Sequence, residues 1–368
     1  MVFLEKKTVL ILFGGRSSEH EISLRSAATI LSNIDYNKYT VVKIGITRAG
    51  NWLMTCADAE KIKSGAWEDL PDNRTAFLPP DPNAKGVFIH NGDGTYEVVK
   101  IDVAFPVLHG MYGEDGTVQG LFELADVPYV GCNVTSSAVC MDKVCTKMML
   151  ADVDINQAKW IHFTYRELKL AFKACLDHAE QKIGYPVFVK PASAGSSIGV
   201  SRAKDREELS AALKLAMQYD SKVIVEEEIR GRELEVAIIG TKAPFASTCC
   251  EIIKGTEVYD YDAKYNNDTA QTFAKARMDM EKADDVRMAA LKVYSALGCT
   301  GMARADFFYD AENDKIIFNE MNTIPGFTNK SMFPQMMEAS WGFSITQQVD
   351  MLIDDAFEQH TQRGRLKI

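Results

Sequence analysis

VFVKPASAGSSIGV, residues 187–200, carries a lysine, Lys190, at the end of an apolar strand and runs at once into a loop of glycine, serine and alanine. Backbone that must come close to a ligand needs residues without bulk. A lysine beside such a loop adds positive charge, so the segment reads as a phosphate site. It matches neither common phosphate loop. A Walker A loop has the order G-x-x-x-x-G-K-[ST], with its lysine after the glycines, and a dinucleotide fingerprint has G-x-G-x-x-G. The remainder of the chain has to say which kind of phosphate site this is.

Outward from that strand, apolar strand-like runs alternate with helical stretches, the pattern of an α/β protein. Upstream, strands are expected at 8–13, 39–46 and 101–108, helices at 23–33 and 117–125, and a short strand at 128–130. Together these describe a doubly wound unit. The intervening stretch 57–94 is polar, contains Pro71, Pro79, Pro80 and Pro82, and reads as a helix plus loops. A helix at 136–150, a strand at 159–163, a helix at 166–183, the opening strand, a helix at 206–219 and a strand at 223–227 follow. ELEVAIIG (233–240) and PFASTCCEII (244–253) read as two strands, and the polar, aromatic stretch 254–275 as a long loop. Apolar residues at 286, 289, 290, 293, 294 and 297 recur at helical spacing. GMARADFFYD (301–310) and KIIFNEMN (315–322) read as paired strands.

Bulk properties narrow the function classes. A chain of 368 residues is expected to form two or three domains. Hydrophobic content of 46% with 25% charged residues is that of a globular protein. A formal charge of −10 without a basic run argues against duplex nucleic acid as a partner. The eight cysteines form no C-x-x-C pair, which fits reduced thiols in the cytoplasm. The apolar run at 8–13 is too short for a signal segment or a membrane span.

Period two places Arg304 with Asp306, and Glu320 with Asn322, on single faces of their strands. If the strands pair, three oxygen-bearing side chains and an arginine converge, a set suited to magnesium shared with substrate phosphates. The bland alternative is a solvated face, but the alternating FFYD and IIF runs make these strands half buried. NTIPGFTNKS, 322–331, then offers Gly326 an exposed N–H where a reacting carbonyl develops charge. Glu19 in GGRSSEHEIS sits where a doubly wound sheet opens. It is equally readable as a carboxylate for a substrate ammonium or as an ordinary acid at a helix start. His109 in LHGMYGEDG reads on spacing alone as structural. The acidic run at 226–228, with Glu233 beyond, fits either a nucleotide-holding edge or a charged edge strand that resists aggregation.

Taken in order, GGRSSEHEIS, LHGMYGEDGTVQG, YVGCNVTSSAVCMDKVCTK, VKPASAGSSIGV, VEEEIRGRELEVAIIG, YDYDAKY, RADFF and NEMNTIPGFTNKS resemble the D-alanine–D-alanine ligase family of the ATP-grasp superfamily. The resemblance spans nearly the whole chain. It implies an α/β fold, α+β in its ATP-grasp part, with three domains. These are a Rossmann-like, doubly wound unit at 1–131 with the first-substrate subsite and a dimer contact, a central unit at 132–228, and a C-terminal unit at 229–368 with a mobile loop at 254–275. It implies that Lys143, Lys190, Ser197 and Lys264 attend the ATP phosphates, that Glu226, Glu227 and Ile229 lie at the adenine, and that Glu233 meets the ribose. Asp306, Glu320 and Asn322 fall on the ligands of two magnesium ions, with manganese as a substitute.

On the same resemblance, Glu19 and His109 belong to the first D-alanine subsite, and Ser331 and Met332 to the second. Arg304 and Gly326 serve the oxyanion, and Tyr265 hydrogen-bonds toward Ser196 and Glu19. The implied reaction is ATP-dependent joining of two D-alanines through an acyl phosphate, in a cytoplasmic homodimer that binds no membrane. The alternative is a D-alanine–D-serine ligase of the vancomycin-resistance type. Another ATP-grasp ligase, a nicotinamide dehydrogenase and a non-catalytic ATP-binding regulator fit the motifs less well.

Overall fold

The structure, a computed structural model, describes residues 6–253 and 271–366. Its first sheet holds β1 (Lys7–Gly14), β2 (Tyr39–Ile46), β3 (Trp52–Met54), β4 (Arg74–Phe77), β5 (Gly86–His90), β6 (Tyr96–Lys100) and β7 (Val103–Val107). The spatial order is β6-β5-β4-β3-β2-β1-β7. β1 is parallel to both β2 and β7, and its residues 9–13 have no exposed surface. A parallel strand covered on both faces needs that unbroken apolar run. From β2 to β6 the pairing is antiparallel. Here the structure corrects the sequence reading of 57–94, since only Ala59–Lys63 is helical and the stretch also contains β4 and β5. These strands are short, and β6 leaves Tyr96, Glu97 and Val98 all exposed, so no alternation marked the region.

The expected helix at 136–150 is two helices, Val134–Met141 and Lys143–Met149. Asp142 between them is extended, and its carboxylate accepts from the N–H groups of Val144 and Cys145, an N-cap that starts the second helix. β8 (Asn156–Gln157) belongs to the third sheet. The second sheet is antiparallel, with β9 (Trp160–Thr164), β10 (Val187–Pro191), β11 (Ser201–Ala203) and β12 (Lys222–Glu227) in the order β11-β10-β12-β9. Helices Tyr165–Lys182 and Arg206–Ala216 bury their apolar residues against it.

The third sheet contains β13 (Arg232–Ile239), β14 (Phe245–Ala246), β15 (Cys250–Ile253), β16 (Gln271–Phe273), β17 (Met302–Asp310) and β18 (Lys315–Asn322). Its order is β16-β15-β13-β17-β18-β8, with β14 beside β13. The stretch 244–253 is therefore two strands, and β16 occupies part of the expected loop, the rest of which (254–270) lies outside the described residues. Alternate residues serve opposite faces, as period two requires. Leu234, Val236 and Ile238 meet Val286, Ala290, Val293 and Tyr294 of helix Met280–Ala296. Ala237 and Ile239 join the other face.

That other face decides the assembly. Its core runs without a break from Val9, Ile11 and Phe13 of β1 to Phe333 and Met336 of helix Met332–Trp341 and Val349 and Ile353 of helix Ile345–Arg363. The first and third sheets thus share one core, while the four-stranded sheet has its own. Cys132, Cys140 and Leu150 are buried with the third sheet, whereas Val144 packs on Ile224 of the four-stranded sheet, so the segment from 132 to β8 bridges the two. Among the described residues no helix is long and apolar enough to cross a membrane.

Packing at Gly45 gives a test. Trp67 is fully buried edge-on to Phe13, with ring centroids 5.0 Å apart, and a Cβ on Gly45 would lie 2.3 Å from the Trp67 ring. Gly45→Ala is expected to cost about 1–3 kcal/mol through overpacking. Gly120→Ala, inside helix Thr117–Leu124 with nothing within 4 Å of the new Cβ, should add about 0.5–1 kcal/mol. Urea midpoints of the two variants should move in opposite directions.

Candidate active site

The two separate cores leave a cleft of about 1090 Å³ between them. Of the 19 site residues expected from sequence, Lys264 and Tyr265 lie outside the described residues, and the other 17 all line this cleft.

Strand register brings the nucleotide-side charges together. β10 and β12 are antiparallel with Phe188 opposite Glu226, so Lys190 and Glu226 stand on one face as diagonal neighbours. Lys190 Nζ lies 2.6 Å from Glu226 Oε2. The second oxygen, Oε1, is 2.7 Å from Lys147 Nζ. Burial disfavours the Glu226 charge, but the two lysines outweigh it and pull the carboxyl down to about 2. Lys147 was not expected from sequence. The signal that marks it is its position one helical turn after Lys143, on the same face of helix Lys143–Met149. Lys143 itself donates to the Ala194 carbonyl at 3.0 Å and stands 3.6 Å from Glu320 Oε2.

The remaining acids of the run divide. The Glu227 carboxylate accepts from the Lys159 N–H at 2.7 Å, and Glu228 holds Arg202 in a two-point fork at 2.6 and 3.0 Å. Ile229 and Glu233 border the same part of the cleft.

The small-residue loop closes on Glu19. Ser196 and Ser197 both adopt left-handed backbone, at φ of 50° and 59°. The Ser196 hydroxyl donates to Glu19 Oε1. Cβ atoms on Gly110 and Gly195 would come within 2.6 and 2.8 Å of Glu19 Oε2, so each glycine permits a close approach. Glu19 precedes helix His20–Asn33 but its side chain makes no capping bond. Its carboxylate, 8% exposed, serves the cleft instead.

A buried network ties this side to the turn after β18. His109 Nδ1 donates to the Ile324 carbonyl at 2.8 Å, which leaves Nε2 to accept from the Ser26 hydroxyl at 3.0 Å. Burial lowers the His109 pKa, and the neutral ring satisfies both bonds. Ser26 Oγ in turn accepts from the Phe327 N–H at 3.2 Å. Glu114, also missed in the sequence reading although it lies in the same LHGMYGEDG segment, accepts from Gly110 N–H at 2.8 Å and Ile324 N–H at 2.9 Å. Burial, with Glu19 nearby, pushes it up to about 8. Gly326 sits in the held turn, where a Cβ would lie 3.0 Å from Ser331 Oγ. Ser331 accepts from the Thr328 N–H at 3.0 Å, and Met332 opens the following helix.

The paired strands meet as the spacing predicts, with Asp306 opposite Glu320 and Arg304 opposite Asn322. Arg304 grips Asp306 with two bonds of 2.8 Å, and its Nε also stands 3.2 Å from Glu235 Oε2, a buried acid not expected from sequence. The Asn322 amide donates to Asp306 at 3.1 Å. No group of three His, Cys, Asp or Glu side chains is gathered for a metal among the described residues. The set is two carboxylates and an amide. Such hard oxygen donors, facing one another across adjacent strands, fit a magnesium ion that takes its other ligands from phosphate and water.

Two family models match the chain, that of the D-ala D-ala ligase N-terminus over residues 8–132 and that of the D-ala D-ala ligase C-terminus over residues 149–354. A D-alanine–D-alanine ligase of Acetivibrio thermocellus is 46% identical, covering 97% of each chain. The VanG D-Ala:D-Ser ligase from Enterococcus faecalis superposes with a TM-score of 0.87 at 38% identity, covering 96% of this chain and 100% of that one. The D-alanine-D-alanine ligase from Coxiella burnetii gives 0.84 at 34% identity, covering 98% of this chain and 97% of its own.

The Glu226 geometry predicts an acid limb. Its folded pKa lies below the ordinary 4.5, so its contribution is complete above that value and disappears as pH falls toward 2. That contribution is on the order of a few kcal/mol. Thermal melts from neutral pH downward should show Glu226→Gln less stable at neutrality and flatter across that window. A limb unchanged by the substitution rejects the assignment.

Proposed function

The chain belongs to the D-alanine–D-alanine ligase family, and from that premise we propose how its cleft joins two D-alanines at the expense of ATP. The fold is that of the ATP-grasp enzymes, preceded by a doubly wound unit. The protein is an ATP-dependent ligase that forms D-alanyl-D-alanine for peptidoglycan precursors. The observation that supports the site reading is convergence: helix and loop residues of the first unit, such as Glu19 and His109, line one cleft with residues of the four-stranded and third sheets.

A carboxylate is a poor acyl donor. The carboxylate of the first D-alanine attacks the γ-phosphorus of ATP, ADP leaves, and an acyl phosphate results. The amine of the second D-alanine then adds to the carbonyl carbon, phosphate departs, and the amine gives up a proton. Lys143, Lys190 and Ser197 hold the triphosphate, Glu226, Glu227 and Ile229 the adenine, and Glu233 the ribose. Asp306, Glu320 and Asn322 would hold two magnesium ions, with manganese as a substitute, and these offset phosphate charge during transfer. Their carboxylates are already balanced by Arg304 and Lys143, so the site tolerates its acids before a cation arrives.

Glu19, fixed by Ser196, receives the ammonium of the first D-alanine. His109 shapes that subsite by anchoring the 324–327 turn. Arg304 and the Gly326 N–H face the oxyanion of the tetrahedral intermediate, and Ser331 and Met332 border the second subsite. Lys264 and Tyr265, which lie outside the described residues, are assigned to the γ-phosphate and to the Ser196–Glu19 pair. An acyl phosphate must be shielded from water, and the loop 254–275 is assigned that duty. The working form is a cytoplasmic homodimer joined through residues 1–131.

Phosphate release with ATP, magnesium and D-alanine, with the product weighed by mass spectrometry, tests the reaction. Arg304→Ala should lower kcat by about 10²–10³, the usual loss for one oxyanion donor. Offered equal D-alanine and D-serine, the enzyme should make mainly D-alanyl-D-alanine. A predominance of D-alanyl-D-serine would instead place the chain's activity with that of its VanG neighbour. Tyr265→Phe should raise ATP hydrolysis relative to ligation, and an unchanged ratio removes its shielding role.

A further inference from the structure

Lys147 is a lysine nearly cut off from water, with 2% of its side chain exposed. An ammonium in such a place is strongly disfavoured unless an anion compensates it. Among the described residues Glu226 is the one carboxylate within ion-pair distance. Glu226 therefore faces two ammonium groups, one on each oxygen. The two lysines differ in reach. Lys190 is 16% exposed and stands at the mouth of the small-residue loop, on a strand end, whereas Lys147 sits mid-helix beneath the same carboxylate.

This arrangement holds one more positive than negative charge. A phosphate entering the cleft draws Lys190 toward itself, and that movement strips Glu226 Oε2 of its partner. Without a second cation, a buried carboxylate in that position takes up a proton. We propose that Lys147 is a positioning residue, a fixed counter-charge that keeps Glu226 ionised while Lys190 exchanges this carboxylate for nucleotide phosphate. The inference rests on the nucleotide reading of the cleft and deepens it. The released Oε2 stays an anionic acceptor for the exocyclic amine of adenine, and a charged acceptor bonds an N–H about twice as strongly as a neutral one.

Other charges near Glu226 are already committed or act on Lys190. Its chain neighbours Glu227 and Glu228 turn to Lys159 and Arg202. Glu233 and Glu320 face Lys190 and favour its charged form, though burial opposes it. Neither compensates Glu226.

The test is calorimetric titration of the full chain with ADP and magnesium at neutral pH, in two buffers of different ionisation enthalpy, which reads protons taken up per nucleotide bound. Lys147→Met should take up close to one proton more than wild type and lose about tenfold or more in affinity. On a Glu226→Gln background, Lys147→Met should change affinity by less than about threefold and leave the proton count alone. An unchanged proton count in Lys147→Met, or an equal affinity loss on both backgrounds, overturns the proposal. If Lys147→Met alone fails to fold, folding of the double variant supports the charge account and its failure to fold overturns it. A wild-type chain that does not bind ADP refutes the nucleotide reading itself, a result separate from either comparison.

Discussion

Carboxylates removed from water must be matched by cations or hydrogen-bond donors, and the cleft is built around that demand. Glu226 lies between Lys147 and Lys190, Asp306 in the fork of Arg304, and Glu320 against Lys143. Glu19 is satisfied by the Ser196 hydroxyl, whereas Glu114, whose charge burial disfavours, accepts from two backbone N–H groups. On the proposed reading Lys143 and Lys190 meet phosphate and Arg304 the oxyanion, while Lys147 stays with Glu226. Charge pairing thus holds these groups in place without ligand, and on the proposed reading binding has to exchange partners rather than fill empty space.

Packing determines which partners can be exchanged. The first and third sheets are fused through one core, so Glu19, His109, Arg304 and the 324–327 turn are fixed relative to one another. The four-stranded sheet contributes Lys190, Ser196, Ser197 and Glu226 from a separate core. On the proposed reading the acyl chemistry falls on the continuous body, and much of the nucleotide grip on the other. His109 and Glu114 make this concrete, for both tie the first unit to the turn that carries Gly326.

Particular residues show how far a sequence reading reaches. The strand pair 301–310 and 315–322 was legible because period two is local, and register then set Asp306 against Glu320 as expected. The antiparallel strands between 74 and 100 were not, because strands this short and this exposed carry no alternation. The helix expected at 136–150 was seen but not its break, since a single aspartate that caps a second helix leaves the apolar pattern almost intact.

The order of glycine-rich loops, lysines and acid-bearing strands is written in the chain, and it determined by itself the family and many of the residues that line the cleft, though not Lys147, Glu114 or Glu235. Only the tertiary structure decided what those residues touch. Lys147 and Glu226 lie on different elements, as do Glu235 and Arg304, and Glu114 and Ile324. Side-chain alternation and helical period act over a few residues, whereas a buried ion pair forms wherever folding brings two segments together, and its partners are chosen by packing.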